Sequence, residues 1–257
     1  YQIDLENMFM HKLNDDTFYR FKKAYESCFN RRMVTFMFLD KYQNAQQSYC
    51  EGIFALKEFS DKYNLNFHSE IATIIMDYAR GNMTVKANTA HNLFLHAINF
   101  FLERKTKYVR RLLICQIDLL VTQNILRENV NYRDFLQKVN ELDKHNFLLE
   151  YIKGILKLYA CRLIEFSRLN NYNRVSVSFM ADCINQIEKI KLEKHIILQN
   201  RELYLYNYIL AYFYILQNEY LEAKTCIQSN INYLQRAGAT YKIPLEHNLT
   251  NLETIQG

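Results

Sequence analysis

Glycine and proline are scarce in this sequence, with five Gly and one Pro among 257 residues. Tight β-hairpins, dinucleotide-binding turns and phosphate loops need glycine where the backbone turns left-handed or approaches a ligand. Their scarcity argues against an all-β fold and against a nucleotide-binding α/β fold. A helical chain with short connections can be built without them. Signatures of catalysis are missing too. There is no HExxH zinc motif and no Walker-type glycine loop, and no GxSxG elbow. Glu103, Glu128, Glu165 and Asp182 lack convincing partners along the sequence. Cys28, Cys50, Cys115, Cys161, Cys183 and Cys226 are far apart and form no CxxC pair. They read as reduced, buried thiols of a cytosolic or nuclear protein. His91 and His96 are too poorly aligned on a helix to share one metal. The expectation is a protein that is not an enzyme, with no metal and no cofactor.

Long hydrophobic runs are also absent. The densest stretch, "LYLYNYILAYFYIL" from Leu203 to Leu216, is broken only by Asn207. It is shorter than the about 20 residues needed to cross a bilayer, and it is full of tyrosine hydroxyls. No basic-then-apolar leader pattern appears at the start, so a cytoplasmic location is expected (nuclear in a eukaryote), without a membrane. The chain opens on Tyr1 rather than Met, which leaves room for a preceding domain.

What is present is helical periodicity almost throughout. Phe18, Phe21, Ala24, Tyr25 and Cys28 share a helical face behind the capping candidates Asp15 and Asp16. A second pattern runs from Met33 to Tyr42, and a third holds Ile53, Leu56 and Phe59. "SEIATIIMDYARGN" predicts one helix, with Ser69 as its cap and Gly81 at a left-handed C-terminus. Further helices are predicted at Val85–Glu103, Tyr108–Arg127, Tyr132–Lys144, Phe147–Arg168, Arg174–Lys191, Leu198–Gln217, Tyr220–Arg236 and Leu245–Ile255. Asn131 is the expected cap of the Tyr132 helix, and Pro244 fits a first helical turn. Short polar connections make successive helices antiparallel neighbours.

The Tyr-rich stretch is apolar nearly all round, as a helix covered on several sides would be. With the turn that follows, it resembles a tetratricopeptide repeat. Leu210, Ala211 and Tyr214 match the first-helix pattern, "QNEY" at Gln217–Tyr220 replaces the usual turn, and Ala223 and Ile227 match the second helix. Asn207 and Asn230 depart from the pattern, and no Pro closes the unit. The clearest repeat spans 203–236. The fold expected is all-α, a right-handed superhelix (α-solenoid) of antiparallel helical hairpins forming one domain over 1–257. The resemblance implies that Leu205, Tyr208, Tyr212 and Ile215 face a concave groove that holds a peptide or protein segment.

A weaker resemblance is to the sensor domain of Gram-positive peptide-pheromone-responsive regulators. It implies a DNA-binding domain before Tyr1 and a role in transcription regulation; a homodimer is compatible with it. Two other readings stay open. One is a structural subunit of a multiprotein complex, like the helical-repeat part of PCI-type scaffold proteins. The other is a nucleic-acid-binding repeat that uses Arg104, Lys105, Lys107, Arg110 and Arg111 as a basic patch around Tyr108.

Overall fold

The computed structural model describes residues 15–63, 66–103, 105–168, 177–194, 197–198 and 200–237. Ten helices and no strands lie among them: α1 (Asp15–Phe38), α2 (Tyr42–Tyr63), α3 (His68–Asn82), α4 (Ala87–Leu102), α5 (Lys105–Ile125), α6 (Tyr132–Lys144), α7 (Leu148–Arg168), α8 (Val177–Lys194), α9 (Asn200–Leu216) and α10 (Tyr220–Ala237). The predicted helix at Leu245–Ile255 and Pro244 lie outside the described residues. Each helix packs on the next, and α1 also packs on α3, α5 on α7 and α7 on α9. Between α3 and α5, the Arg80–Asp118 ion pair makes the link.

Two predicted patterns merge. The Phe18–Cys28 pattern and the Met33–Phe38 part of the Met33–Tyr42 pattern belong to one helix, α1, because nothing in "FNRR" between them breaks a helix, whereas the left-handed Asp40 ends it before Tyr42. The third pattern lies in α2, which starts at Tyr42. In α5, Tyr108 has non-helical angles (φ −124°, ψ 26°), so the regular part begins near the predicted start.

Helix ends follow local chemistry. The Asn131 side chain accepts from the Asp134 backbone N–H at 3.1 Å, which caps α6 as expected. Ser69 is not the cap of α3. That helix begins at His68, and the Ser69 hydroxyl is buried against Glu70 Oε2 at 2.7 Å. Gly81 is not a left-handed terminus either, since α3 continues through it to Asn82. A Cβ there would lie 1.9 Å from Met37 Sδ, so Gly81 lets α1 and α3 approach closely. Left-handed ends do occur at Asp40, Arg127, Asn146 and Asn218, with φ of 57°, 62°, 58° and 63°. Each closes a helix in the same way. Asn218 N–H donates to Ile215 O and Glu219 N–H to Tyr214 O, and the equivalent pairs form at the other three.

The core divides into clusters along the chain. Met33, Met37, Leu56, Phe59 and Phe67 meet Ile74 and Tyr78 of α3. The other side of α3 presents Ala72, Met76 and Ala79 to Phe94 and Phe101 of α4. A larger cluster spans α5 to α9, from Leu113 through Ile155 and Met180 to Tyr212. Between α9 and α10, Ala211 packs with Ile227 and Ile231. There Asn230, fully buried, donates to Tyr204 O at 3.0 Å and ties the two helices. Cys115, Cys161 and Cys183 are buried, Cys226 is half-buried, and Cys28 and Cys50 are exposed; all six are free. The expectation of uniformly buried thiols thus fails at Cys28 and Cys50, on the outer sides of α1 and α2. No described helix is long and apolar enough to cross a membrane.

Candidate functional site

A cleft of about 160 Å³ is lined mainly by α3, α5, α7 and α9. Arg80 comes from α3, Ile114 and Ile117 from α5, Lys153 and Lys157 from α7, and Glu202 and Leu205 from α9. The helical period sets this grouping. Ile114 and Ile117 are three residues apart, and Lys153 and Lys157 four, so each pair emerges on one face. Gly154 lies at the base, where a Cβ would stand 2.9 Å from Val139 Cγ2 of α6.

Charges that line the cleft also bind the helices together. Asp118 of α5 is 1% exposed. It accepts from Arg80 Nε of α3 at 2.7 Å and from Lys157 Nζ of α7 at 2.5 Å. Arg80 also pairs with Asp77 at 3.2 Å, and Asp77 accepts from Asn30 Nδ2 of α1 at 2.7 Å. Lys153 of α7 pairs with Glu202 of α9 at 3.2 Å, and Arg110 of α5 with Glu150 of α7. One polar network thus runs from Asn30 of α1 to Lys157 of α7, and the separate Lys153–Glu202 pair ties α7 to α9. Burial alone would raise the Asp118 carboxyl. The Lys157 and Arg80 cations outweigh it and hold that carboxyl well below the usual carboxylate range. Asp118 is therefore an anion at neutral pH and serves as a fixed counter-charge. The Cys115 thiol, one turn away, is pushed up by burial, which makes it a poor nucleophile.

Leu205 lines the cleft and Ile215 is half-buried. Tyr208 and Tyr212 do not reach the cleft. They are 4% and 5% exposed, their rings meet edge-on at 5.1 Å, and both belong to the α5–α9 core. The physical reason is that α9 packs on both α7 and α8, and both rings belong to the core those helices share. The Tyr206 hydroxyl is buried as well and donates to Glu188 of α8.

The basic residues disperse. Arg104 and the side chain of Lys105 lie outside the described residues. Lys107 is exposed, with its ammonium 5.6 Å from the Tyr108 ring centre. Arg110 is paired with Glu150, and Arg111 stacks 5.9 Å from the Tyr108 ring and reaches Ser69 O at 3.5 Å. The sequence reading missed Arg80, Asp118, Lys153, Lys157 and Glu202. Two lysines four apart inside an apolar helix were the available signal. Among the described residues no group of three or more His, Cys, Asp or Glu is placed to hold a metal. No family model matches this chain, and no curated protein or solved structure is found similar to it.

Proposed function

We propose that the chain is a helical-repeat binding domain that holds a peptide or protein segment in the cleft across α3, α5, α7 and α9. The pairing of successive helices and the contacts between alternate ones support a solenoid of hairpins, in which the odd-numbered helices line the inner face. The observation that carries the binding reading is the mixed lining. Ile114, Ile117 and Leu205 offer an aliphatic floor, while Lys153 and Glu202 stand beside it as a partly exposed ion pair. Such a pair can exchange partners with a segment that carries charges of both signs, because its own attraction is screened by water. The floor supplies the affinity.

This reading keeps the ligand-sensing role in a transcriptional regulator as its specific form. The nucleic-acid reading stays as the alternative; there Arg110 would exchange its exposed pair with Glu150 for a phosphate, while Arg111 also reaches Ser69 O. The test is selection of peptides from a random display library against the whole chain, followed by calorimetry on Leu205→Glu. The expected result is loss of binding with helical content unchanged, while Leu221→Glu on α10 binds as wild type. Equal binding by Leu205→Glu would place the ligand elsewhere and end the proposal.

A further inference from the structure

A second pocket, of about 340 Å³, lies between α2, α3 and α4 and shares none of the cleft's lining residues. Its volume falls at the lower end of the range for small-molecule sites, about 300–1,000 Å³. Its floor is apolar, made by Ile71 and Ile75 of α3 and Phe100 of α4. The His68 imidazole packs edge-on to Phe100 at 6.2 Å, and His96 of α4 also lines the pocket.

The mouth carries Lys57 and Asp61, one helical turn apart on α2. Opposite charges at this spacing commonly pair on a helix. These two pair neither with each other nor with any other described residue, unlike Lys138 and Asp134, which meet at 3.1 Å at the same separation. An unpaired cation and an unpaired anion therefore stand beside an apolar floor.

We propose that this pocket binds a small zwitterion with an apolar side chain, an α-amino acid of the leucine or phenylalanine class. Lys57 meets the carboxylate, Asp61 meets the ammonium, and the floor takes the side chain. A simple anion is repelled by Asp61 and a simple cation by Lys57, so only a ligand carrying both charges satisfies the mouth. The apolar floor separates leucine from glycine, which has nothing to bury there. This proposal is independent of the peptide cleft.

The test is calorimetric titration of the full chain with L-leucine, L-phenylalanine, glycine, N-acetyl-leucine and leucine amide. Leucine or phenylalanine is expected to bind and glycine to give no heat. Removing either charged group of the ligand is expected to weaken binding about tenfold, the size of one lost hydrogen bond to a charged group. In Asp61→Asn the difference between leucine and N-acetyl-leucine should vanish, and in Lys57→Gln the difference between leucine and its amide. Both residues are exposed, so both variants keep the fold, as circular dichroism would show. Absence of binding by every apolar amino acid overturns the proposal. So does leucine binding in either variant at wild-type affinity.

Discussion

Replacing Asp118 by Asn removes one negative charge from a site that touches three helices. The carboxylate receives Arg80 from α3 and Lys157 from α7 while itself belonging to α5. Breaking a buried ion pair from one side costs about 3–5 kcal/mol, because the remaining charge is left uncompensated. Two features place this site at the low end. Arg80 keeps Asp77 at 3.2 Å, and the Arg80 and Lys157 side chains are 27% and 23% exposed, so water reaches both. The expected loss is about 3 kcal/mol. For a chain of this length it would lower the thermal midpoint by about 6–12 °C. Urea titration followed by circular dichroism measures the loss directly. Its pH dependence provides a second check. The folded carboxyl is held below its unfolded value, so its contribution is complete above the unfolded pKa and is lost as pH falls through the folded one. The gap between wild type and Asp118→Asn should be constant near neutrality and shrink progressively below about pH 4. A loss under about 1 kcal/mol would refute the reasoning, since surface pairs fall in that range. A gap that did not change in acid would refute the assigned charge state.

Three other substitutions test the helix ends and crossings. Arg127→Gly should stabilise the chain by about 1 kcal/mol, because a left-handed φ strains any residue with a Cβ; an unchanged urea midpoint would count against this. Asn131→Ala should cost about 1 kcal/mol through the lost cap, whereas Asn131→Asp should hold the midpoint. Gly154→Ala should destabilise by about 1–3 kcal/mol through contact with the stiff Val139 side chain. In a Val139→Ala background the same change should become neutral or stabilising, as the helix propensity gain of about 1 kcal/mol emerges; urea titration of the four proteins in this cycle decides it.

What could be read from the sequence was what neighbouring residues decide. The Asn131 cap bonds three residues ahead, so its partner is written beside it. The run from Leu203 to Leu216 is apolar all round, so burial of α9 was readable. Which of its side chains faces open space was not, because that depends on where α7 and α8 lie. Leu205 and Tyr208 are three residues apart, yet one lines the cleft and the other is sealed in the core. The network around Asp118 was unreadable for a stronger reason. Arg80, Asp118 and Lys157 each look like an ordinary charge on a helix. Only the approach of α3, α5 and α7 gathers these three charges into one shared site around a buried carboxylate.

The scarcity of glycine also acquires a different meaning. It argued against hairpin-rich and nucleotide-binding folds, with Gly81 the expected left-handed helix end. The structure instead ends four helices left-handed, on Asp40, Arg127, Asn146 and Asn218. Asn and Asp tolerate that geometry better than most residues, since their short side chains bond locally. Among the described residues, Gly52, Gly81 and Gly154 are used where helices cross, and a Cβ would meet Phe29, Met37 or Val139 within 3 Å. The two demands differ in kind. A strained φ costs about 1–2 kcal/mol and can be carried by a non-glycine residue. A backbone crossing blocked by a β-branched side chain on a packed neighbour has no such substitute unless the neighbour also changes. A helical protein can therefore economise on glycine at its turns before it can at its crossings. The few glycines left in such a sequence mark where its helices come closest.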